Sequence, residues 1–143
     1  MRIIIAVALS FALSMTTGNV LGDDMSDYDA IKETIGNYFD GFRLRDRERL
    51  EKAFAVDMAH MKGYVKGSDG SLSLTSRPMD EVINDWVNRD HGPEMKGKIL
   101  SIQIFSEHAA IATFDFNGIF TDTFQLAKLA GEWRIVNKFY VDQ

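Results

Sequence analysis

From residue 25 onward the apolar positions change period several times, and each change predicts an element. Tyr28, Ile31, Ile35, Tyr38 and Phe42 recur at spacings of three and four with Phe39 beside them, the stripe of one long amphipathic helix. Ser26 stands in front of it as the N-cap. Gly36 and Gly41 lie inside the stripe at a cost of about 1 kcal/mol each relative to alanine, which points to a close approach to the backbone or a tolerated weakness. Asp46 opens a second, short helix carrying Leu50, Ala53 and Phe54. From Met58 the period turns toward two, through Val65, and Gly67-Ser68-Asp69-Gly70 leads into Ser71-Leu72-Ser73-Leu74, so two short strands are expected. A third helix is expected to start at Ser76 and Pro78, to bury Val82, Ile83, Trp86 and Val87, and to end at His91-Gly92-Pro93. The remainder reads as four strands, Ile99 to Phe105, Ala109 to Asn117, Ile119 to Leu129 and Glu132 to Val141, with turns at Glu107-His108, Asn117-Gly118 and Ala130-Gly131. Helices segregated on one face of an antiparallel sheet make an α+β fold. If the sheet curls around the first and third helices, it forms a cone whose open end is a pocket.

The first 22 residues follow another pattern. A single Arg2 precedes an apolar run from Ile3 to Met15 and a softer stretch ending Asn19-Val20-Leu21-Gly22, a secretory signal with cleavage expected near Gly22. The run is too short to span a bilayer, which takes about 20 apolar residues. Two segments are therefore expected: a signal over residues 1–22 and a single domain over 23–143, placed in the periplasm or outside the cell.

Composition narrows the options. With no cysteine, the domain has no disulfide, thiolate metal site, cysteine nucleophile or lipidated cysteine, and its stability comes from one apolar core. Removing Arg2 from the 16 basic residues leaves 15 against 21 acidic ones, a net charge of −6. An acidic domain without a basic cluster is a poor partner for nucleic acid or an anionic membrane, so neither is expected. No Asn-x-Ser/Thr site is present, and a bacterial setting is the simplest one.

The order of elements and several segments resemble the nuclear transport factor 2-like superfamily. These segments are the first helix from Tyr28, Phe54-Ala55-Val56-Asp57, Phe120-Thr121-Asp122, and Gly131-Glu132-Trp133-Arg134-Ile135-Val136-Asn137-Lys138-Phe139. Within that superfamily the sequence is most similar to a bacterial, SnoaL-like group that carries a lumazine-binding label. The resemblance runs from Tyr28 to Val141 and implies a cone-shaped sheet with three N-terminal helices, and a homodimer. It assigns no reaction, because isomerases, dehydratases, hydrolases, cyclases, carrier domains and transport adaptors share the scaffold. Where relatives often have His-Pro before the aspartate after helix two, this chain has Ala55-Val56.

Strand parity selects the candidate site residues. Asp122 falls on one face with Phe120, Phe124 and Leu126. In the last strand, unbroken alternation puts Asn137 on a face with Trp133, Ile135, Phe139 and Val141, opposite Arg134, Val136, Lys138 and Tyr140. A carboxylate and an amide are thus expected to point inward, where an unsatisfied partner costs roughly 1–3 kcal/mol. They would answer each other, a backbone group, water or a ligand. The functional reading makes Asp122 a pocket acid or base, Tyr38 its hydrogen-bond donor and Asn137 an orienting group, with Phe42, Trp86 and Phe124 as pocket walls. The structural reading makes Asp122 and Asn137 ties between strands and a helix end. His60 shares the polar parity of Lys62, Tyr64 and Lys66 and enters the cone mouth only if a bulge reverses that face. His91 suits a helix C-terminus and His108 a hairpin turn. No metal spacing, nucleophile elbow, phosphate loop or dinucleotide fingerprint occurs, so neither a metal nor a cofactor is expected. The opposite sheet face, with Thr113, Thr121, Thr123, Arg134, Lys138 and Tyr140, is the expected dimer surface. Three functions stay open: an exported domain binding a small apolar or aromatic ligand, an acid/base enzyme of isomerase or dehydratase type using Asp122 with Tyr38, and a non-catalytic interaction module. A cone filled by its own side chains would favour the third.

Overall fold

The structure, a computed structural model, describes residues 25–90 and 94–143. The expected signal, its cleavage point at Gly22 and the His91-Gly92-Pro93 helix stop lie outside the described residues. Helix α1 (Asp27–Leu44) starts where Ser26 Oγ accepts the Asp29 N–H at 3.2 Å, and it ends on Arg45 in the left-handed conformation (φ 57°). Asp46 caps α2 (Arg47–Ala53) in the same way, accepting the Arg49 N–H. Gly41 shows why α1 carries a glycine: a Cβ there would lie 2.8 Å from Leu50 Cγ, so the bare backbone lets α2 fold back against it. Gly36 has open space around it and is the tolerated weakness.

Strands β1 (His60–Lys66) and β2 (Leu72–Pro78) form a hairpin, and α3 (Met79–Asn88) follows directly. The expected helix start at Ser76 is corrected to Met79. Ser76 pairs with Lys62 and Arg77 with Met61 in the ladder, and Pro78 holds the residue before it out of helical geometry. Four long strands complete the chain: β3 (Gly97–Ser106), β4 (Ala109–Phe116), β5 (Phe120–Leu129) and β6 (Glu132–Asp142).

All six strands join one open sheet in the order β2-β1-β6-β5-β4-β3. Neighbours are antiparallel except β1 and β6, which run parallel. The helices cover one face of the sheet. The core lies between, where Ile31, Ile35 and Tyr38 of α1 and Val82, Ile83 and Trp86 of α3 meet Phe114, Phe124 and Ile135. Among the described residues no helix is long and apolar enough to cross a membrane.

One irregularity in β6 decides what the site contains. Gln125 pairs with Asn137, but the next residue, Leu126, pairs with Ile135, so Val136 is an extra residue in the ladder. Such a bulge reverses the side-chain parity beyond it. Trp133 and Ile135 face the core as expected, and past Val136 the inward positions are Lys138, which is buried, and Tyr140, which lines a half-open cavity. The expectation for Asn137 is therefore corrected: it faces the opposite side of the sheet, where Lys62 Nζ donates to its Oδ1 at 2.6 Å. Lys138 and Tyr140 likewise leave the outer face assigned to them.

Gly63 on β1 lies under the Tyr140 ring, and a Cβ there would come within 2.2 Å of its Cε1. Gly63→Ala is expected to cost about 1–3 kcal/mol through overpacking. Gly36→Ala, with nothing within 4 Å, is expected to stabilise by up to about 1 kcal/mol. Urea denaturation of the two variants beside the parent checks the opposite signs.

Candidate functional site

Three buried polar side chains from three elements meet behind the sheet mouth. Tyr38 lies on the buried stripe of α1, Asp122 on the concave face of β5, and Lys138 just beyond the β6 bulge. The Tyr38 hydroxyl donates to Asp122 Oδ2 at 2.7 Å, and Lys138 Nζ donates to Oδ1 at 2.5 Å. Both carboxylate oxygens are thus engaged, and Asp122 is only 1% exposed. Lys138 stands opposite Phe124 in the ladder, while Asp122 stands opposite Tyr140, which puts the ion pair on a diagonal between adjacent strands. The ammonium lies 5.6 Å from the Tyr38 ring centre and 5.2 Å from that of Tyr140, within cation–π range of both.

Burial dominates the electrostatics. It pushes the Tyr38 hydroxyl well above its ordinary value of 10.0, and the Asp122 charge and hydrogen bond push the same way. It also lowers Lys138 from its ordinary 10.5, against the opposing pull of Asp122. An ion pair in such a place does not serve stability, since well-packed apolar side chains do as well or better. Its position on a cavity wall makes it the candidate functional site.

That cavity has a volume of about 190 Å³. Tyr38, Asp122, Lys138 and Tyr140 supply its polar surface, Phe42, Met61, Trp86, Phe116 and Phe120 its apolar surface, and Arg89 stands among the lining residues. Behind it the cone is filled: Phe54, Phe114 and Phe124 pack around Tyr38 with ring centres 5.4–6.1 Å away. A larger groove of about 490 Å³ runs past Asp27, Lys128, Trp133 and Arg134 on another face. Its charged side chains are at least partly exposed, and Asp27 already accepts from Lys128 and from Trp133 Nε1. The smaller cavity, with its buried ion pair, is the candidate site.

Of the sequence-predicted site residues, Asp122, Tyr38, Trp86 and Phe42 line this cavity together. Phe124 does not. It is 1% exposed and sits behind Tyr38 as core. His60 keeps the parity of Lys62, with Nδ1 3.2 Å from the Met58 carbonyl oxygen, and is absent from the lining because β1 has no bulge to turn it inward. His108 is exposed beside Glu107, and His91 lies outside the described residues. Sequence reasoning missed Lys138 and Tyr140. The available signal was the adjacent apolar pair Ile135-Val136, which breaks the alternation of β6 where the bulge occurs. Among the described residues no three His, Asp or Glu side chains cluster as a metal site.

Residues 26–141 match the protein family described as "Putative lumazine-binding". The chain belongs to this family. Solved structures agree with it. A nuclear transport factor 2-like protein of unknown function from Shewanella baltica is 32% identical, with a TM-score of 0.67 over 81% of this chain and 93% of that one. Another from Methylobacillus flagellatus is 27% identical, with a TM-score of 0.68 over 84% of this chain and 96% of that one. A ketosteroid isomerase-like protein from Erwinia carotovora, 15% identical with a TM-score of 0.56 over 80% and 94% of the two chains, shares the fold alone. No curated protein matches the chain. The family places this chain on the nuclear transport factor 2-like scaffold, and a shared scaffold does not by itself fix a function.

Removing one member of a buried ion pair costs about 3–5 kcal/mol, whereas removing both costs much less. Asp122→Asn is therefore expected to be strongly destabilising, and Asp122→Asn combined with Lys138→Met less so than the single change. Denaturation midpoints of the four proteins in the cycle check the order.

Tyr38 gives a pH signature. Its folded pKa lies above the unfolded value of 10.0, so its contribution is fully present below pH 10 and is lost as pH rises, by up to about 1.4 kcal/mol per pH unit. Lys138, lowered from 10.5, adds the opposite slope only below about pH 10.5, where the unfolded lysine still holds its proton. Between about pH 10.5 and 11.5 the parent is expected to lose stability more steeply than Tyr38→Phe. Parallel curves in urea titrations across that range would contradict the assignment.

Proposed function

We propose that this chain is an exported domain that binds a small, flat, apolar or aromatic molecule at the mouth of the sheet, with a polar atom of the ligand set against the Tyr38–Asp122–Lys138 cluster. The observation that carries this reading is a buried ion pair on the wall of an aromatic cavity, where it contributes little to stability. The family's description, which names a small ligand, supports the same class of function.

The volume sets the size of the guest. About 190 Å³ is below the roughly 300–1,000 Å³ of pockets for drug-sized ligands. It equals the liquid volume of about six water molecules at roughly 30 Å³ each, which suits one substituted ring. Export rests on Arg2, the apolar run after it and Gly22, and puts the domain in the periplasm or outside the cell. A homodimer through the outer sheet face completes the proposal. That face offers Thr113, Thr123, Asn137 and Phe139 in place of Lys138 and Tyr140.

The acid/base alternative keeps Asp122 and Tyr38 at the cavity. A proton-transfer role for Asp122 would require a substrate to displace one of its two donors, whereas binding uses the arrangement as it stands. Native mass spectrometry of the protein purified from its own host's export compartment is expected to retain a small molecule of one-ring size. A bare protein mass, with no cavity residue shifted in an NMR screen of small aromatic compounds, would remove both the binding and the enzyme readings and leave the interaction module.

A further inference from the structure

Resting on the cleft-binding reading above, we infer that the ligand is an anion, a compact aromatic or apolar carboxylic acid. The inference comes from counting donors and acceptors around the cavity. Lys138 has three N–H donors and commits one to Asp122. The Tyr140 ring packs on Phe120 and under the Lys138 ammonium, but its hydroxyl makes no hydrogen bond among the described residues. Arg89, exposed and part of the lining, has neither an ion-pair nor a hydrogen-bond partner among the described residues, which leaves all its N–H groups available. On the acceptor side stand the Tyr140 hydroxyl oxygen and Asp122, whose two oxygens already receive one donor each, from Tyr38 and Lys138.

The site is therefore rich in donors and short of acceptors, and a ligand that supplies acceptor oxygens completes it. Charge points the same way. Two cations, Arg89 and Lys138, against one carboxylate, Asp122, leave the cavity with one net positive charge inside a chain of net charge −5. A cationic ligand would meet like charge, with only the Tyr140 hydroxyl oxygen and the remaining lone pairs of Asp122 to accept from it. A neutral ring would leave Lys138 and Tyr140 unanswered once it displaced water, and unanswered buried donors are costly. A carboxylate accepts charge-assisted hydrogen bonds from Lys138, Tyr140 or Arg89, roughly twice as strong as neutral ones. The attached ring lies against Phe42, Trp86, Phe116 and Phe120, which provide the apolar walls.

Three probes of one shape and three charges test the inference: benzoate, benzamide and benzylamine, titrated at neutral pH into the whole domain after signal removal and followed by calorimetry and by NMR shifts of Trp86 Nε1–H. Benzoate is expected to bind at least about tenfold more tightly than benzamide, to weaken as salt rises, and to outcompete benzylamine entirely. Arg89→Gln changes an exposed side chain and leaves the core untouched, so it tests the idea in a folded protein. It is expected to lower benzoate affinity about tenfold and to shrink the preference over benzamide. Lys138→Met is expected to abolish that preference. Equal binding of benzoate and benzamide, with the Trp86 signal shifting for both, would overturn the anion inference while leaving the cleft as a binding site. No shift with any of the three probes would overturn both readings together.

Discussion

The architecture turns on an almost fully buried carboxylate. Asp122 is held by the Tyr38 hydroxyl from α1 and the Lys138 ammonium from β6, so one side chain joins the first helix to the two central strands. A charge in that position is tolerated only because its partners arrive with it. Each partner depends on a separate local rule. Tyr38 is placed by the three-and-four spacing of α1, and Lys138 is placed by one extra residue in β6. If the second rule failed, the Asp122 charge would be buried without its counter-ion; if the first failed, one of its oxygens would lose its hydrogen bond.

The surrounding packing serves that arrangement. Phe54, Phe114 and Phe124 close the space behind Tyr38, so the low-dielectric surroundings that lower Lys138 and raise Tyr38 are built from ordinary core aromatics. At the open side, Gly63 provides the room in which the Tyr140 ring lies flat against β1. Parallel pairing of β1 with β6 brings Met61 and Gly63 to that wall, although the paired residues, Met61 with Lys138 and Gly63 with Tyr140, lie 77 positions apart in the chain. The cavity is thus a remainder, the part of the cone that the core does not fill, and its smallness follows from the bulk of the aromatics behind it.

The comparison with the wider superfamily is informative for the same reason. A protein 15% identical, described as ketosteroid isomerase-like, shares the sheet and helices. A common scaffold leaves function to the residues at its mouth. Here those residues are an ion pair, two tyrosines and an arginine rather than an isolated acid. The family's description points to a small guest, and the cavity's charge and size are the features on which the proposal about that guest rests.

The elements were legible in the sequence because they follow from local periodicity: the long first helix with its Ser26 cap, the short second helix, the late strands and their turns, and the inward position of Asp122. The start of α3 was misplaced by a few residues, since ladder pairing of Ser76 and Arg77 with β1 outweighed their suitability as a helix start. The site was only half legible. Tyr38, Asp122, Trp86 and Phe42 could be named, but Asn137 was placed inside and Lys138 outside because alternation was carried unbroken through β6. Whether a strand contains a bulge depends on its register with a neighbour, here the step from Gln125–Asn137 to Leu126–Ile135, and register is settled by the packing of the whole sheet. The chain by itself therefore determined its elements and its carboxylate. Only the tertiary structure decided which cation stands beside that carboxylate, because a single added residue exchanges the two faces of everything that follows it.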